Sequence, residues 1–443
     1  MTRLVIRGGR VIDPRSGIDK VVDVVIEDGL IVDAGSAAGD GEVIDATGLI
    51  VAPGFVDIHT HLREPGFEHK ETIETGTQAA ARGGFTTVCA MPNTEPPVDS
   101  AAGVESIIRR AAETGMVRVL PIACVTRRRE GQELADMAEL AQAGAVAFSD
   151  DGSPVGDAGL MRRALEYSAL TGRVVIDHCE DATLAAGGVM HEGWVSTRLG
   201  LRGAPAAAEE TMVARNIALA EQTGSRVHLA HISTVGSVEL VRRAKERGIA
   251  VTAEVTPHHL ALTHEMVMTG ADERRTGGGV ATATRPKLAY ETNAKVNPPL
   301  RTREDTEACV AGVLDGTIDC IATDHAPHAS QDKLCEFDHA AFGISGLETA
   351  LSLCLTVLPI ETVIARLTVA PAAVLGLEDH VTGCGSLSVG GAGDVTIIDP
   401  EAEWVVEPTL FASKGKNTPL TGRTLRGRVV TTVVGEKVVF DGQ

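Results

Sequence analysis

The sequence lacks the features that mark disulfide scaffolds, membrane-spanning proteins and nucleic-acid-binding proteins. Its eight cysteines are scattered without a CxxC pair, which favours reduced, buried thiols and a cytoplasmic location. No apolar run approaches the roughly 18 residues that a membrane-spanning helix needs. The formal charge of −20 and the pI of about 5.1 argue against nucleic acid as a partner, because phosphate binding needs a basic face. Chemistry on a small molecule remains open.

The two ends of the chain carry short β-strand patterns. With 443 residues the chain is too long for one ordinary domain, unless that domain is a barrel. Valine-rich and β-branched stretches separated by turn residues occupy residues 3–7, 21–27, 394–399, 428–434 and 437–440. We predict that residues 1–52 and 381–443 pair into one small β-sandwich domain, into which the central segment is inserted.

The central segment, residues 53–380, alternates short strands with helical patterns. The strand patterns cover residues 86–90, 117–122, 145–148, 174–177, 226–229, 249–254 and 318–323. The helical patterns between them include residues 100–114, 132–143, 160–171 and 207–223. Alternating β and α units indicate a parallel sheet, and about eight of them over this length favour an α/β fold of the (β/α)8 TIM-barrel type.

Polar residues gather at the ends of the predicted strands. His59 and His61 end a buried strand in the stretch VDIHTHLREPG, and their spacing puts both side chains on one face, with Arg63 next along it. The other polar residues at strand ends are Asn93, Asp151, His178, His231 and Asp324. Any one of them alone would be an ordinary polar residue. Together they predict a metal-dependent barrel enzyme acting on a small anionic substrate.

Residues 266–294 depart from this regular alternation. The stretch is rich in Thr, Gly and Ala and contains TGGG at residues 276–279. It predicts a long loop, and both a lid over the site and an inert insertion are compatible with that pattern.

Ten sequence motifs resemble those of the cyclic amidohydrolases within the amidohydrolase superfamily, and in particular the dihydroorotases of the bacterial type I kind. The resemblance covers nearly the whole chain. The motifs are DIHTHLREPG (57–66), KETIETG (70–76), MPNT (91–94), DDG (150–152), HCED (178–181), HIST (231–234), VNPPLR (296–301), ATDHAPH (322–328), FGI (342–344) and SKGKNTP (413–419). The HxH and DHAPH pieces indicate the superfamily, whereas LREPG and NPPLR are specific to dihydroorotase-like enzymes.

The resemblance implies a cofactor of one or two Zn²⁺ ions. The implied ligands are His59, His61 and Asp324 for one ion, His178 and His231 for the other, and Asp151 as the bridge.

The bridging residue distinguishes this chain from many relatives, including hydantoinases, which bridge with a carboxylated lysine. No lysine occurs between Lys70 and Lys245, so a lysine bridge from the fourth strand is unavailable. The family pattern favours Asp151 as its replacement and leaves the neighbouring Asp150 as a turn or supporting residue.

The resemblance also implies the reaction. It is the reversible cyclisation of N-carbamoyl-L-aspartate to L-dihydroorotate, a step of de novo pyrimidine (UMP) biosynthesis. Hydroxide from metal-bound water attacks the ring amide, and Asp324 is the catalytic acid and base that moves the proton.

The substrate carboxylate is expected to bind Arg63, because a guanidinium can hold a carboxylate through two hydrogen bonds. The remaining substrate contacts that the resemblance implies are His61, Asn93, Asn297, His328, Phe342 and Gly343. Two simpler interpretations stay open at this point. Arg63 could instead form a salt bridge to Glu64 or Glu68, and Asn93 could be a turn residue.

Three further histidines are predicted to have structural or supporting roles. His258 and His259 are adjacent, and adjacent side chains on an extended chain point in opposite directions. His325 lies between Asp324 and His328, and we give it a supporting role as well.

Two other functions are compatible with the sequence. One is a different cyclic amidohydrolase, an allantoinase or a hydantoinase, which the missing lysine disfavours. The other is a non-catalytic dihydroorotase-like subunit that scaffolds aspartate carbamoyltransferase, which the complete set of expected ligands disfavours. An active enzyme that also binds aspartate carbamoyltransferase stays open, and a homo-oligomer is the family expectation.

Overall fold

The computed structural model describes residues 3–35, 41–268 and 290–442. Its first seven strands are β1 (Arg3–Arg7), β2 (Arg10–Asp13), β3 (Ile18–Val21), β4 (Asp23–Glu27), β5 (Leu30–Gly35), β6 (Glu42–Asp45) and β7 (Ile50–Pro53). Strands β5, β4, β1 and β6 form one four-stranded sheet in that order. Asp28 and Gly29 join β4 to β5 with φ values of 49° and 80°, as a two-residue hairpin turn requires.

The central part of the chain forms an eight-stranded parallel sheet that closes into a barrel. Its strands are β8 (Phe55–Thr60), β9 (Phe85–Ala90), β10 (Arg118–Ala123), β11 (Ala147–Ser149) and β12 (Val174–Asp177), then, after the short parallel pair β13 (Met190–His191) and β14 (Gly203–Ala204), β15 (Val227–Leu229), β16 (Val251–Val255) and β17 (Cys320–Ile321). A parallel bridge between Thr60 and His325 joins the first barrel strand to the segment that follows the last one. The predicted barrel is confirmed.

Helices connect the barrel strands and follow the last of them. They are α1 (Ile73–Arg82), α2 (Ala101–Thr114), α3 (Met137–Gln142), α4 (Ala158–Thr171), α5 (Trp194–Leu199), α6 (Ala207–Thr223), α7 (Val235–Glu246), α8 (Pro257–Ala261), α9 (Arg303–Asp315), α10 (Ser330–Lys333), α11 (Ala350–Cys354), α12 (Ile360–Leu367) and α13 (Val369–Leu375). Helix α4 illustrates how the sequence determines where a helix begins and ends. Asp157 caps its first turn by accepting from Leu160 N at 2.6 Å, and Gly172 ends it with φ 71°.

The chain ends with three antiparallel strands, β18 (Val395–Val405), β19 (Thr424–Val434) and β20 (Lys437–Asp441). They join strands from the start of the chain in one six-stranded sheet of order β20-β19-β18-β7-β2-β3. The predicted β-sandwich part, built from both ends of the chain, is therefore confirmed. Its core includes Leu4, Ile26, Ile397 and Val433.

Two predicted elements differ from the structure. The helix predicted over 132–143 begins only at Met137, because Leu134 pairs with Thr126 in a β-bridge and Glu133 O accepts from Arg127 N. The strand predicted over 21–27 is divided into β3 and β4.

Residues 276–279 of the predicted loop lie outside the described residues. Within the described ranges, no helix has the length and apolar character needed to cross a bilayer.

Candidate active site

A cavity of about 300 Å³ opens at the C-terminal ends of the barrel strands. The predicted site residues that line it are His61, Arg63, Asn93, Asp151, His178, His231, Asn297, Asp324, His328, Phe342 and Gly343. His59 lies directly beneath them and is fully buried. Because the barrel strands are parallel, their carboxyl ends meet at one rim, and residues far apart in the chain converge there.

The carboxylate of Asp151 lies at the centre of four histidines. Its Oδ1 is 3.4 Å from His59 Nε2 and 3.6 Å from both His178 Nδ1 and His231 Nε2. Its Oδ2 is 3.5 Å from His61 Nε2. These separations are long for hydrogen bonds, yet all five side chains are buried.

The donor set fits a metal ion. Two groups of three side chains, each centred on Asp151, bring one ligand atom apiece within 4.8 Å of the others. His59 Nε2 and Asp151 Oδ1 are buried with no hydrogen-bond partner in the described structure. Buried polar atoms are normally paired, and a cation between imidazole nitrogens and a carboxylate would satisfy both atoms.

Asp150 has a different environment from its neighbour. Its carboxylate accepts hydrogen bonds from Val125 N at 2.9 Å and Thr126 N at 3.1 Å, and also from the Thr126 hydroxyl. These bonds tie two barrel loops together and leave Asp151 as the carboxylate that faces the histidines.

Asp324 stands at the edge of this group and faces the cavity. Its Oδ1 is 2.9 Å from His61 Nε2 and 3.7 Å from His59 Nε2. Burial alone would raise the pKa of Asp324, but its hydrogen bond with His61 and the charge of His59 hold that pKa at about 2. The carboxylate is therefore ionised at neutral pH and able to accept a proton.

A polar partner orients each histidine of the HxH pair. His59 Nδ1 donates to Glu254 Oε1 at 2.6 Å, and His61 Nδ1 donates to Asn93 Oδ1 at 2.8 Å. These bonds place an N–H at Nδ1 of each ring and turn both Nε2 atoms toward Asp151, with His61 Nε2 also near Asp324.

Glu254 is a functional residue that the sequence analysis missed. It belongs to β16, is fully buried, and its other oxygen accepts from His228 Nε2 at 3.1 Å. Its place at the end of a predicted barrel strand was the signal that could have identified it.

The potential around the histidines is negative. Burial lowers the pKa of His59, but the carboxylates of Glu254 and Asp151 outweigh burial and raise it well above its ordinary value. Burial also lowers the pKa of His178, but the carboxylates of Asp151 and Glu180 outweigh burial and raise that pKa to about 10. A site that stabilises positive charge in this way favours a bound cation.

Arg63 provides a fixed positive charge on the opposite wall of the cavity. Its Nε donates to Pro327 O at 3.3 Å, and its Nη2 lies 3.4 Å from His328 Nε2. Burial lowers its pKa to about 10, so the side chain stays charged at neutral pH.

The salt bridge considered for Arg63 is not the arrangement in the structure. Glu64 accepts from Arg110 Nε and Ile73 N, both within 2.9 Å, and Glu68 accepts from Gly66 N. The guanidinium of Arg63 is left facing the cavity.

The remaining predicted contacts line the same cavity from the loops around residues 297, 328 and 343. His328 Nε2 donates to Phe342 O at 2.8 Å, and Asn297 Nδ2 lies 3.3 Å from His178 Nε2. Gly343 N donates to Lys295 O at 2.9 Å. The Gly343 N–H thus holds its own loop in place and is not free for the substrate contact that the resemblance implies.

The environment of His258 and His259 corrects one part of the sequence argument. Both lie on helix α8, not on an extended chain, with ring centroids 4.6 Å apart. His259 bonds to Thr256 Oγ1 at 2.8 Å and to Pro298 O at 2.9 Å. Neither residue lines the cavity.

His325 also points away from the cavity. Its Nδ1 accepts from Gly346 N at 3.1 Å, and its Nε2 lies 3.4 Å from Glu71. These contacts connect it to the surrounding loops rather than to the Asp151 group.

Three residues of the site have positive φ values, a backbone conformation that residues other than glycine rarely adopt. The φ values are 61° for Arg63, 32° for His231 and 46° for Asp324. Strain of this kind persists where the surrounding structure enforces it, and it concentrates at functional sites.

Comparisons with known proteins agree with this geometry. A family model described as Dihydro-orotase-like matches residues 48–237. A protein of Pelotomaculum thermopropionicum named dihydroorotase is 53% identical over 99% of this chain and 98% of its own length. One from Citrifermentans bemidjiense with the same name is 50% identical over 99% of both chains.

The fold is also similar to solved structures. An L-hydantoinase from Arthrobacter aurescens has a TM-score of 0.85 at 24% identity, covering 100% of this chain and 97% of its own. A D-hydantoinase from Thermus sp. has a TM-score of 0.83 at 25% identity, covering 99% and 96%.

Proposed function

The chain belongs to the dihydroorotase family, and we propose that its cavity interconverts L-dihydroorotate and N-carbamoyl-L-aspartate at a zinc centre. The protein is a cyclic amide hydrolase that acts on a small molecule and has a role in pyrimidine biosynthesis. The family is metal-dependent, and the chain carries the side-chain groups that can hold metal. Zinc is our choice of metal, because histidine nitrogens and carboxylate oxygens in a site with open positions suit it.

One observation carries the proposal. A single cavity of about 300 Å³ joins a cluster of imidazoles and carboxylates to a fixed guanidinium, Arg63. Dihydroorotate carries an amide and a carboxylate on one small ring. The two walls of the cavity match those two groups.

The residues that would hold the metal are His59, His61 and Asp324 on one side and His178 and His231 on the other, with Asp151 between them. When bound, the metal would polarise the amide carbonyl and make water available as a nucleophile at neutral pH.

The chain's own residues orient the substrate and move the proton. Asp324 is ionised and faces the cavity, so it can take a proton from the attacking water and deliver it to the ring nitrogen. Glu254 and Asn93 bind Nδ1 of the two HxH rings and so present Nε2 as the atom that would bind the metal.

The carboxylate of the substrate would bind the guanidinium of Arg63, with His328 beside it. Asn93 uses its Oδ1 for His61, which leaves its amide nitrogen to donate to the same carboxylate. Asn297, Phe342 and Gly343 form the adjoining wall.

The other readings of the sequence are less well supported. A lysine-bridged hydantoinase or allantoinase centre has no lysine to use, and Asp151 occupies the middle of the histidine cluster. A non-catalytic scaffold subunit would not need a complete set of metal-holding side chains, nor the ionised carboxylate of Asp324 beside them.

Association with aspartate carbamoyltransferase, a homo-oligomer and a cytoplasmic location remain predictions. All eight cysteines are free, as a reducing compartment requires. Gel filtration of the chain with and without the transcarbamoylase would test both kinds of assembly.

The function is tested by measuring bound zinc together with N-carbamoyl-aspartate formation from dihydroorotate, with hydantoin and allantoin as competing substrates. We expect bound zinc and the fastest turnover with dihydroorotate. Faster turnover of hydantoin or allantoin would reject the assignment, and bound zinc without any turnover would reject the isolated chain as the active form.

A further inference from the structure

The segment of residues 413–417 extends from the C-terminal part of the chain to the rim of the barrel. It belongs to the SKGKNTP motif, to which the proposed reaction gives no role. Its last residue, Asn417, is buried and does not line the cavity. Nevertheless Asn417 contacts both loops that carry the substrate-binding side chains opposite the metal residues.

The side chain of Asn417 makes four hydrogen bonds. Its Oδ1 accepts from His328 N at 2.8 Å and from Ser345 Oγ at 2.9 Å. Its Nδ2 donates to Ala326 O and to Gly343 O, each at 3.0 Å. The backbone adds a fifth bond, from Ser345 N to Asn417 O at 2.8 Å.

These bonds use the full capacity of a carboxamide, which has two donor hydrogens and two acceptor lone pairs. They also determine its orientation. A flipped amide would place its NH₂ group against the His328 N–H and its oxygen against two carbonyl oxygens. An aspartate at this position would bring the same oxygen–oxygen repulsion.

The 413–417 segment is itself fixed to the barrel. Glu71 accepts from Ser413 Oγ and from Lys414 N, and Glu348 accepts from Ala412 N and Ser413 N. The chain then passes so close to Pro327 that a Cβ on Gly415 would lie 2.5 Å from Pro327 Cβ and 2.7 Å from His328 N. Asn417 therefore acts from a rigid support.

We infer that Asn417 is a positioning residue, which sets the distance between the loop carrying His328 and the loop carrying Phe342 and Gly343. It thereby determines how tightly the substrate carboxylate is held, and it leaves the metal-holding residues in place. The inference rests on the proposed function. It adds the C-terminal segment to the determinants of substrate binding.

The test compares Asn417→Ala and Asn417→Asp with the wild type in KM and kcat for dihydroorotate, zinc content and melting temperature. We expect KM to rise about tenfold, because buried hydrogen-bonding groups lose their partners. Zinc content should stay at the wild-type level and kcat should change far less than KM. Lys414→Ala is the matched control, since it removes an exposed side chain of the same segment and keeps the backbone bonds to Glu71.

Ser345→Ala covers the case in which neither Asn417 variant folds, because it removes one hydroxyl, which contacts Asn417 Oδ1 and Gly415 O, and keeps the other three side-chain bonds of Asn417. It should raise KM by a smaller factor in the same direction. An unchanged KM, or a loss of zinc and kcat at constant KM, would overturn the inference. Absence of turnover by the wild type would instead reject the proposed function, and with it the substrate role of Asn417.

Discussion

The two walls of the cavity are built in different ways. The metal side comprises His59, His61, Asp151, His178 and His231, and each of these residues lies within two residues of a strand end. The anion side, which comprises Arg63, His328, Phe342 and Gly343, lies on loops. Glu254 of β16 and Asn93 after β9 orient the HxH pair of the metal side, whereas the anion side is held by hydrogen bonds to its backbone from distant segments.

Lys333 illustrates how the anion side is held. Its Nζ donates to Thr292 O, Lys295 O and Ala341 O, all within 3.1 Å. Asn417 binds the loop of residues 341–345 at Gly343 and Ser345, and also the loop that carries His328. The barrel thus fixes the proposed metal ligands directly, whereas loop contacts between distant parts of the chain fix the proposed substrate contacts.

The largest expected effect is on the acid–base residue between the two walls. Asp324→Asn should lower kcat at least about a hundredfold, because the amide cannot carry the proton. Steady-state kinetics with dihydroorotate measures this. Asp319→Asn is the matched control, since Asp319 precedes β17, pairs with Lys245 and lies outside the cavity. Equal losses in both variants would show a folding defect rather than lost chemistry.

The next effect should be confined to the metal side. Glu254→Gln keeps the shape of the side chain but weakens the bond from His59 Nδ1, so zinc affinity should fall about 10- to 100-fold. Competition with a chelator measures the affinity. Glu348→Gln alters a glutamate outside the cavity whose side chain is 9% exposed, and it should leave zinc binding unchanged. An unaltered zinc affinity in Glu254→Gln would remove the assigned role of Glu254.

The third effect should be confined to the anion side. Arg63→Lys keeps the charge but loses the paired donors that match a carboxylate, so KM should rise about tenfold. Zinc content should not change. Arg110→Lys, which alters an arginine bound to Glu64 outside the cavity, provides the control. A KM for Arg63→Lys equal to that of the wild type would mean that the carboxylate binds elsewhere.

The strand pattern predicted the metal side better than the anion side, and the reason is physical. Strand alternation directs His59 and His61 to one face, and parallel strand ends place Asp151 near them. Asp151 rather than Asp150 could be chosen only through the family pattern. The prediction for His258 and His259 assumed an extended chain, but Thr256 and Pro257 begin a helix there.

Contacts between distant residues were not accessible from the sequence. Asn417 and His328 are 89 positions apart, and the SKGKNTP motif contains no feature that specifies its neighbour. Glu254 was a strand-end residue like the candidates, but its pairing with His59 depends on strand order in the closed barrel. Hydrogen bonds from side chains to backbone atoms leave no periodic pattern in the sequence. The contacts that hold the anion side could therefore be identified only from the structure.

The fourth effect concerns stability rather than catalysis, at the attachment of the 413–417 segment. Burial raises the pKa of Glu348 from 4.5 to about 7, against the hydrogen bonds from Ser413 N and Ala412 N. Folding therefore favours the protonated form. This contribution to stability is fully present below about pH 4.5 and is lost as the pH rises through about 7.

Chemical unfolding as a function of pH measures this contribution. Its size is about 3 kcal/mol from the pKa difference. In Glu348→Gln the corresponding change in the free energy of unfolding between pH 4.5 and 7 should be absent. The rest of its pH profile should be unchanged. A slope that is the same in both proteins would assign the pH dependence to other groups.

The independence of the two walls is tested most directly by a double-mutant cycle in kcat/KM with Glu254→Gln and Asn417→Ala. The two side chains share no hydrogen-bond partner among the described residues. Their effects should therefore add to within about 0.5 kcal/mol. A coupling energy above about 1 kcal/mol would contradict the account, because it would show that one framework holds both the metal side and the anion side.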